Sequence, residues 1–574
     1  MSKNQDRFNV SAVAEADEIS CSIRSLTLPC RDGVRIHTLV YFPPDMRKKR
    51  PVLLLRSPYY PKNLLERPDG WALKNGIVFV LQSCRGTGWS EGVFDPAERD
   101  QEKNDVEDLF LWLRKQEWFD GRCVMAGGSY SGWMQWCAER TGCPELVGTA
   151  PRVAPLYSCT GAAFPGGGIR LSFALLWGIS MHHRTSPEYA GVPVPDYQKA
   201  GLLRHLPVME ADLQAGYGKI PEVRKFLTKA LVPGRQLELP VSEFRKFRAP
   251  AYIIGGWFDI FKEETVASFQ LMRKYAATDA ARKFTRLTIG PWGHAGLLNP
   301  DLFGKDCNYE TLGVEKRRLQ FLGGLLKDPD RDPLPTEPAV RYYALGENQW
   351  HTAETWPPEG TGQFRYYLHS GGNANSLSGD GTLTRRKCGD EAPDVYVSNP
   401  DNPVLSNDGS DTALGCYDRT PQQKRADVLV YTTPVFRRKL AVAGEIVLRF
   451  SASSSTPDTD FFAVLSDVLP DGRSMYLTMG MIRARFRNSL DREELLERGR
   501  LYEFEIRLSD IAVTFLPGHA MRLEIAGQSF PLCDRNANTG GKLLHDTELK
   551  KSVHTVHHSS AHPAELILPV LLPH

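Results

Sequence analysis

A serine surrounded by small residues follows an apolar segment in the first third of the chain. The segment from Val124 to Ala126 leads into Gly127, Ser129 and Gly132. This pattern predicts a nucleophile elbow, in which a strand enters a tight turn that presents a serine hydroxyl and a helix follows. The common elbow has its second glycine two residues after the serine, whereas here it comes three residues after it. An ordinary Gly/Ser turn is the alternative interpretation.

A serine nucleophile needs a base that takes its proton and a carboxylate that orients this base. In the α/β-hydrolase arrangement these partners follow the serine in the order aspartate or glutamate, then histidine, each after a strand of the sheet. Asp259 comes shortly after the apolar run at 251–256, and His294 comes after the run at 287–290. Because catalytic groups of open α/β sheets gather at the carboxyl ends of strands, we predict a triad of Ser129, Asp259 and His294. The alternatives are a helix-capping role for Asp259 and an ordinary loop position for His294.

The charge that develops on a substrate carbonyl during acyl transfer needs hydrogen-bond donors. We expect the backbone N–H of Tyr130, the residue after the predicted nucleophile, to be one donor. The loop after the apolar run at 52–55 has no run of glycines, and the hydroxyl of Tyr59 is the candidate for a second donor. A packed aromatic side chain beside the elbow is the alternative interpretation of Tyr59.

The chain divides into regions that differ in their pattern of apolar and polar residues. Residues 1–150 and 246–335 contain short continuous apolar runs, typical of buried parallel strands, and amphipathic helical patterns. They predict an α/β sheet with helices on both faces. Residues 151–245 predict a mostly helical insertion, which accounts for the long separation between the predicted nucleophile and its acid. Residues 336–574 contain many short alternating segments with turn residues between them and predict a β-sandwich or jelly roll.

Some elements can be placed more closely. The residues from Leu26 to Pro44 predict a hairpin, with its turn at Arg31 to Gly33. An apolar face at helical spacing predicts a helix between Asp105 and Trp118, and a second amphipathic helix is expected near 315–326.

The composition limits the class of protein. With 574 residues the chain is too long for one hydrophobic core, so we expect two to four domains. Its 70 basic and 68 acidic residues give a net charge of +2, which points neither to nucleic acid nor to a membrane surface as a partner. No apolar stretch reaches the roughly 20 residues that span a bilayer, and the first residues predict no secretory signal. We expect a cytoplasmic protein, with a homodimer as a candidate assembly.

Cysteine and histidine show no spacing typical of a metal site. The 11 cysteines form no Cys-x-x-Cys pair, and we expect them to be reduced thiols. The pairs His182-His183 and His557-His558 have no carboxylate or cysteine at helical spacing to complete a ligand set. The sequence therefore predicts no metal site, and acyl transfer by a serine requires no cofactor.

Further motifs lie in order along the chain. They are Arg-x-Pro-Tyr at 56–59, Gly-x-Ser-Tyr-x-Gly at 127–132, Gly-Trp-x-Asp at 256–259 and Gly-Pro-Trp-x-His at 290–294, with matching segments at 31–34, 85–92, 467–472 and 517–519. Taken together they resemble the cocaine-esterase and X-prolyl dipeptidyl-peptidase family of serine hydrolases over nearly the whole chain. The displaced glycine of the elbow is part of this resemblance. One departure is the segment from Ser83 to Arg85, where the family usually has an acidic residue.

The resemblance implies an architecture. Residues 1–150 and 246–335 would form an α/β-hydrolase domain. The helical insertion at 151–245 would be a cap over the active site, and residues 336–574 would form a jelly roll packed beside it.

The resemblance also implies a mechanism. Ser129 would attack an ester or amide carbonyl, with His294 as general base and then acid and with Asp259 orienting His294. The Tyr59 hydroxyl and the Tyr130 N–H would hold the oxyanion, and water would release the acyl group.

The resemblance also implies which residues line the substrate pocket, although less directly. Trp177 lies where esterase-type caps of the family have a pocket tryptophan, which implies an apolar or aromatic acyl group. A second pocket tryptophan is absent, and Phe164 lies in that neighbourhood, so the pocket would be wider. Glu263 and Glu264 would hold the ammonium of an α-amino acyl group, or alternatively lie on the helix that follows the predicted acid. Arg170 would bind an acidic substrate or, alternatively, is a surface arginine.

These observations lead to one main hypothesis with two alternatives. We expect a serine hydrolase that cleaves small-molecule carboxylic esters, with amides as a second class. One alternative is an Xaa-Pro dipeptidyl-peptidase-like enzyme or an α-amino-acid ester hydrolase or acyltransferase. Another is a catalytically silent carbohydrate- or partner-binding protein built on the β-rich region, against which a complete set of triad motifs argues.

Overall fold

Two sheets form the framework of the protein. The computed structural model describes residues 21–59, 69–96, 98–157, 163–189, 192, 201–229, 239–294, 296–297, 300–303, 307, 313–406 and 415–572. The first sheet belongs to the α/β part of the chain and the second to the β-rich part.

The first sheet is mostly parallel. Its strands are β1 (Ser22–Pro29), β2 (Arg35–Phe42), β3 (Arg50–Ser57), β4 (Val78–Ser83), β5 (Phe119–Gly128), β6 (Leu146–Arg152), β7 (Tyr252–Phe258), β8 (Arg286–Gly293), β9 (Gly296–Leu297), β10 (Val340–Ala344) and β11 (Gln349–Ala353). They pair in the order β1-β2-β4-β3-β5-β6-β7-β8-β10-β11, and β9 pairs with β8. All neighbours from β4 to β10 along this order are parallel. The carboxyl ends of β3, β5, β7 and β8 therefore meet at one edge.

Helices cover both faces of this sheet. Successive residues of a strand therefore pack into two different apolar cores, one on each face. Leu54 and Val80 pack in one core with Leu109 and Trp133, whereas Leu53 packs in the other. The described helices are α1 (Gly70–Lys74), α2 (Arg99–Leu113), α3 (Tyr130–Glu139), α4 (Gly178–Thr185), α5 (Pro221–Lys229), α6 (Val241–Phe244), α7 (Lys262–Tyr275), α8 (Asp279–Phe284), α9 (Pro300–Phe303), α10 (Val314–Lys327) and α11 (Thr420–Gln423). Helices α2 and α3 contribute to the first core and α10 to the second. The predicted α/β sheet with helices on both faces is confirmed.

The elements that were predicted individually are present. The hairpin is formed by β1 and β2, which pair antiparallel. The helix expected between Asp105 and Trp118 is α2, which begins earlier, at Arg99, and ends at Leu113, and the helix expected near 315–326 is α10. The helical pattern after residue 170 is only partly regular, because a π-helical turn at Phe173–Trp177 precedes α4.

The second sheet is almost wholly antiparallel. Its strands are β12 (Thr361–His369), β13 (Thr382–Thr384), β14 (Asp394–Ser398), β15 (Val428–Thr432), β16 (Leu440–Ser454), β17 (Asp460–Val468), β18 (Ser474–Arg483), β19 (Tyr502–Phe515), β20 (Ala520–Ala526), β21 (Ser552–His557) and β22 (Glu565–Leu571). They pair in the order β14-β21-β16-β22-β12-β13-β15-β20-β17-β18, and β19 pairs with β16.

Two strands of the first sheet come from the stretch that the sequence assigns to the β-rich region. Strand β10 pairs parallel with β8, with Val340 opposite Leu287, and β11 pairs antiparallel with β10. Hydrogen bonding therefore extends the first sheet beyond residue 335. Local alternation could not distinguish this pairing from pairing within the second sheet.

The glycine run of the insertion packs against the β-rich region. A Cβ at Gly166 would lie 2.1 Å from the carbonyl oxygen of Met481, and one at Gly167 would lie 2.3 Å from the ring of Phe486. The Asp534 carboxylate accepts the N–H of Ile169 (2.8 Å). The insertion is thus attached to the second sheet. Within the described residues, no helix is long and apolar enough to cross a membrane.

Candidate active site

The turn after β5 holds Ser129 in a backbone conformation that few non-glycine residues adopt. Ser129 has φ 56° and ψ −127° and lies between the last residue of β5 and the first residue of α3. Its N–H donates to the carbonyl of Arg152 at the end of β6 (2.9 Å). Backbone strain of this kind costs on the order of 1–3 kcal/mol and concentrates at functional sites. The predicted succession of strand, tight turn and helix is confirmed.

Both glycines of the motif lie where a side chain would collide with a neighbour. A Cβ at Gly127, whose φ is +142°, would lie 2.7 Å from the Cβ of Ser131. A Cβ at Gly132 would lie 2.4 Å from the Cβ of Ala154. Ala154 belongs to the segment that follows β6, and this segment packs against the first turn of α3. The displaced glycine is therefore required by that close approach.

The structure brings Ser129, Asp259 and His294 together. The Nε2 atom of His294 is 3.0 Å from the Oγ of Ser129, and its Nδ1 atom is 2.7 Å from the Oδ2 of Asp259. His294 follows β8 and its side chain is 40% exposed, whereas Asp259 follows β7 and is buried. With Nδ1–H donating to the carboxylate, Nε2 is the ring nitrogen that can accept a hydrogen bond from the serine hydroxyl.

Asp259 also fulfils the alternative structural role in part. Its second oxygen, Oδ1, accepts the N–H of Phe261 at 2.8 Å and so shapes the turn before α7. The side chain therefore holds the local backbone with one oxygen and the imidazole of His294 with the other. The ring of Phe261 packs edge-on against that imidazole, with 5.4 Å between ring centroids.

Trp177 contacts both tyrosines that contain the predicted oxyanion donors. The indole N–H of Trp177 donates to the hydroxyl oxygen of Tyr59 (3.2 Å), which orients that hydroxyl. The same indole stacks on the ring of Tyr130 at 6.1 Å between centroids. Tyr130 is the first residue of α3, and backbone N–H groups in a first helical turn point out of the helix end.

A buried charge network fixes the loops that contain these residues. The guanidinium of Arg56 lies 3.2 Å from the carboxylate of Glu102, and this carboxylate accepts the hydroxyl of Tyr130 (2.9 Å). Arg85 pairs with the neighbouring Asp105 (2.6 Å). Burial raises the pKa of Glu102, although Arg56 opposes the change. The network links the Arg-x-Pro-Tyr loop to the elbow.

The departure at Ser83 to Arg85 leaves this network in place. Cys84 is buried, with its sulfur 3.8 Å from the sulfur of Met134 on α3. Arg85 still reaches Asp105 and also pairs with Asp32 (2.7 Å).

Trp177 also lines a cleft between the insertion and the loop after β4. The cleft has a volume of about 210 Å³, with apolar walls that include Phe94 and Phe226 and with His182 and Glu222 at its polar side. Phe164, by contrast, is buried and packs on Phe226, with 6.3 Å between centroids. Its contacts are those of a core residue.

Arg170, Glu263 and Glu264 have partners within the protein. Arg170 donates to the carbonyl of Ile260 and pairs with Glu263 at 3.6 Å. Glu263 also accepts the hydroxyl of Ser509. Glu264 is buried and accepts two backbone N–H groups, of Leu156 (2.5 Å) and Tyr157 (3.0 Å). Burial raises the pKa of Glu264 to about 7, which these hydrogen bonds partly oppose.

The charge state of Glu263 differs from that of Glu264. Surrounding protein raises the pKa of Glu263, but Arg170 and Lys262 lower it, and the result lies below the ordinary value. Its side chain is nevertheless 45% exposed. The Glu263 carboxylate is therefore accessible to solvent, although Arg170 pairs with it.

Glu102, which no predicted motif includes, lies behind the elbow. A signal was available in the sequence, because Glu102 lies four residues before Val106 on the apolar face of α2, where an acid requires a partner. His369, Cys388 and Glu391 of the β-rich region form a further group, not predicted from spacing, whose ligand atoms lie within 4.8 Å of one another.

A serine, a histidine and an aspartate joined at the carboxyl edge of a mostly parallel sheet define an α/β-hydrolase. Two family models match the chain: the X-Pro dipeptidyl-peptidase (S15 family) over residues 32–296, and the X-Pro dipeptidyl-peptidase C-terminal non-catalytic domain over residues 335–567. Cocaine esterase of Rhodococcus sp. (strain MB1 Bresler) is 32% identical over 95% of this chain and 98% of that protein. The chain therefore belongs to the cocaine-esterase and X-Pro dipeptidyl-peptidase family of serine hydrolases.

Solved structures show the same fold. An aminopeptidase from a marine sediment Thaumarchaeota archaeon has a TM-score of 0.81 at 22% identity, covering 100% of both chains. An α-amino acid ester hydrolase has a TM-score of 0.77 at 22% identity, covering 99% of this chain and 98% of that one.

Proposed function

We propose that this hydrolase cleaves small-molecule carboxylic esters, and amides as a second class, through a triad of Ser129, His294 and Asp259. One observation carries the proposal: a single imidazole lies within hydrogen-bonding distance of both the serine hydroxyl (3.0 Å) and a buried carboxylate (2.7 Å). The relationship to cocaine esterase supports esters as the first class to test.

The geometry suggests the following sequence of steps. Ser129 Oγ attacks the carbonyl carbon while His294 Nε2 takes its proton, and Asp259 stabilises the imidazolium. The Tyr59 hydroxyl and the Tyr130 N–H donate to the oxyanion. The imidazolium then protonates the leaving alcohol, and water attacks the acyl-enzyme with His294 again as base. The substrate supplies the acyl group, and no cofactor takes part.

We assign the surrounding regions to supporting roles. Residues 151–245 act as a cap that shapes the substrate pocket through Trp177, and the residues after β11 form a jelly roll that supports the cap. The attachment of the Gly166–Gly168 run to Met481 and Phe486 supports this assignment.

The test is hydrolysis of p-nitrophenyl acetate and butyrate by the full chain. We expect turnover that Ser129→Ala abolishes, together with labelling of Ser129 by a fluorophosphonate probe. Ser131→Ala is the matched control, because it removes a hydroxyl from the same turn and should lower the rate far less. Full activity of Ser129→Ala would show that another group is the nucleophile.

Glu263 supports a second candidate, hydrolysis or transfer of α-amino acyl groups. Its ionised, half-exposed carboxylate would attract a substrate ammonium, although Arg170 already pairs with it. Under this candidate, aminoacyl esters or Xaa-Pro p-nitroanilides are turned over faster than p-nitrophenyl butyrate, and Glu263→Gln raises KM for the amino substrates alone. Equal KM changes for both substrate types would reject it.

A further inference from the structure

Within the described residues, a histidine, a cysteine and a glutamate meet in the β-rich region. His369 is the last residue of β12, and Cys388 and Glu391 lie in the loop that joins β13 to β14. One ligand atom from each of the three lies within 4.8 Å of the others. His369 and Cys388 are buried, and Glu391 is partly exposed.

The hydrogen bonds of His369 favour a cation at this point. Its Nε2 atom is 2.9 Å from the carbonyl oxygen of Arg386 and 3.0 Å from the hydroxyl of Thr384. Because a carbonyl only accepts, we assign the ring hydrogen to Nε2. In the neutral ring Nδ1 is then a bare acceptor, yet it faces the Oε1 atom of Glu391 at 2.7 Å. Two acceptors in contact repel unless a proton or a metal ion lies between them.

His558 repeats this arrangement on the other oxygen of Glu391. This histidine is fully buried, and its Nε2 atom is 2.9 Å from the carboxylate of Asp394. Its Nδ1 atom is buried, makes no hydrogen bond within the described residues, and faces Glu391 Oε2 at 3.3 Å. Glu391 therefore faces the Nδ1 atoms of both His369 and His558. The Nε2 atom of each ring faces an acceptor on its other side, a carbonyl for His369 and a carboxylate for His558. Such outer partners orient histidines that bind metals.

We propose that His369, Cys388 and Glu391 bind a divalent transition-metal ion of the zinc type, with His558 adjacent as the source of a fourth ligand. A thiolate, an imidazole and a carboxylate are zinc ligands, whereas calcium and magnesium prefer oxygen alone. Ligand atoms about 2.0–2.3 Å from zinc lie roughly 3.3–3.8 Å apart. The three ligand atoms, which lie within 4.8 Å of one another, would adjust to this spacing on binding.

Binding releases protons in a defined way. The Cys388 thiol donates to the carbonyl of Leu368 (3.1 Å). The metal ion replaces this proton, which passes to solvent, and it replaces any proton shared by His369 and Glu391. Affinity therefore increases with pH.

The site would fasten the loop at 385–393 to the end of β12. It lies in the stretch matched by the non-catalytic family model, apart from the triad, so it does not depend on the proposed esterase activity. The expected role is structural.

The experiment uses the full chain after removal of metal by a chelator, at about pH 8. Titration with Co²⁺ should give a thiolate-to-cobalt charge-transfer band that saturates at one equivalent and disappears when Zn²⁺ is added. Cys388→Ser should remove the band, and Glu391→Gln should weaken binding by at least about tenfold. Cys143→Ser, which removes a buried thiol beside Arg114, is the matched control and should keep the band.

Zn²⁺ should also raise the thermal midpoint of the wild type and of Cys143→Ser, but not that of Cys388→Ser. Glu391→Gln keeps the thiol and a hydrogen-bonding side chain, so it provides the comparison if Cys388→Ser does not fold. A wild-type chain without a stoichiometric band, or equal binding by the wild type and Glu391→Gln, would overturn the proposal. In that case a shared proton would hold His369 and Glu391 together.

Discussion

The close contact between Gly132 and Ala154 makes the position of the elbow testable. In Gly132→Ala the new methyl would lie 2.4 Å from the Cβ of Ala154, well inside the 3.5–4.0 Å at which carbon atoms pack. Both Cβ atoms are fixed to backbone, so neither can rotate away. The other neighbours, the carbonyl oxygens of Gly127 and Arg152, are at ordinary distances of 3.4 and 3.5 Å. The collision is therefore with one methyl group.

The expected loss of stability in Gly132→Ala is the difference between two opposing effects. Overpacking of this kind costs about 1–3 kcal/mol, and fixed backbones place the cost near the upper end. Alanine in place of glycine within α3 stabilises the helix by about 1 kcal/mol. We expect a net destabilisation of about 2 kcal/mol from these two contributions. Because displacement of a nucleophile by about 1 Å can cost about 100-fold in rate, kcat/KM should fall by roughly 10- to 100-fold.

The rescue variant isolates the cause. Ala154→Gly removes the colliding methyl, and alone it should cost about 1 kcal/mol for the lost buried group. In Gly132→Ala/Ala154→Gly the collision is absent and the helix retains its gain, so we expect stability and kcat/KM close to those of the wild type. The double-mutant cycle should give a coupling of about 2–3 kcal/mol, as is found for residues in contact.

The measurements are kcat/KM on p-nitrophenyl butyrate and the thermal midpoint of the four proteins. Kinetics is the primary measurement, because a chain of several domains does not unfold as two states. If the double variant is as impaired as Gly132→Ala, the methyl collision is not the reason for the displaced glycine.

Three further predictions concern the groups around the triad. Tyr59→Phe should lower kcat by about 100- to 1,000-fold. Trp177→Phe, which removes the indole N–H that orients this hydroxyl but keeps an aromatic ring at the position, should lower it by about tenfold or less; equal losses would contradict the assigned donor. Asp259→Asn should lower kcat by about 10⁴-fold with unchanged folding by circular dichroism. The single amide oxygen would accept the N–H of Phe261, so the amide NH₂ would face Nδ1 of His294 and favour the wrong ring tautomer. Glu264 has a folded pKa of about 7 against 4.5 for the ordinary group, so the folded state holds the proton more tightly and stability is lost as pH rises from 4.5 to about 7. The thermal midpoint of Glu264→Gln relative to the wild type should therefore rise between about pH 5 and about pH 8, and a constant difference would show that Glu264 does not titrate in this range.

The loops of the candidate site could be predicted because each follows a buried parallel strand. A run such as 251–256 identifies a strand without knowledge of its partners, and parallel strands place their carboxyl ends at one edge. Asp259 and His294 could thus be placed beside Ser129 before any contact was known. The pairing of β10 with β8 could not, because alternation along β10 says nothing about which sheet it joins.

Other contacts between residues far apart in the sequence could not be predicted, either at the elbow or in the group around Glu391. His558 stands beside another histidine in the sequence, but its carboxylate neighbours in space are Asp394 and Glu391, 164 and 167 residues earlier. The motif at 127–132 likewise shows that backbone must come close at Gly132, but not that Ala154 makes the approach. A glycine in a motif thus indicates that another group must approach the backbone closely. Only the folded structure shows which residue makes that contact. For this reason the substitution at Ala154, which lies outside every motif, is the more informative half of the test.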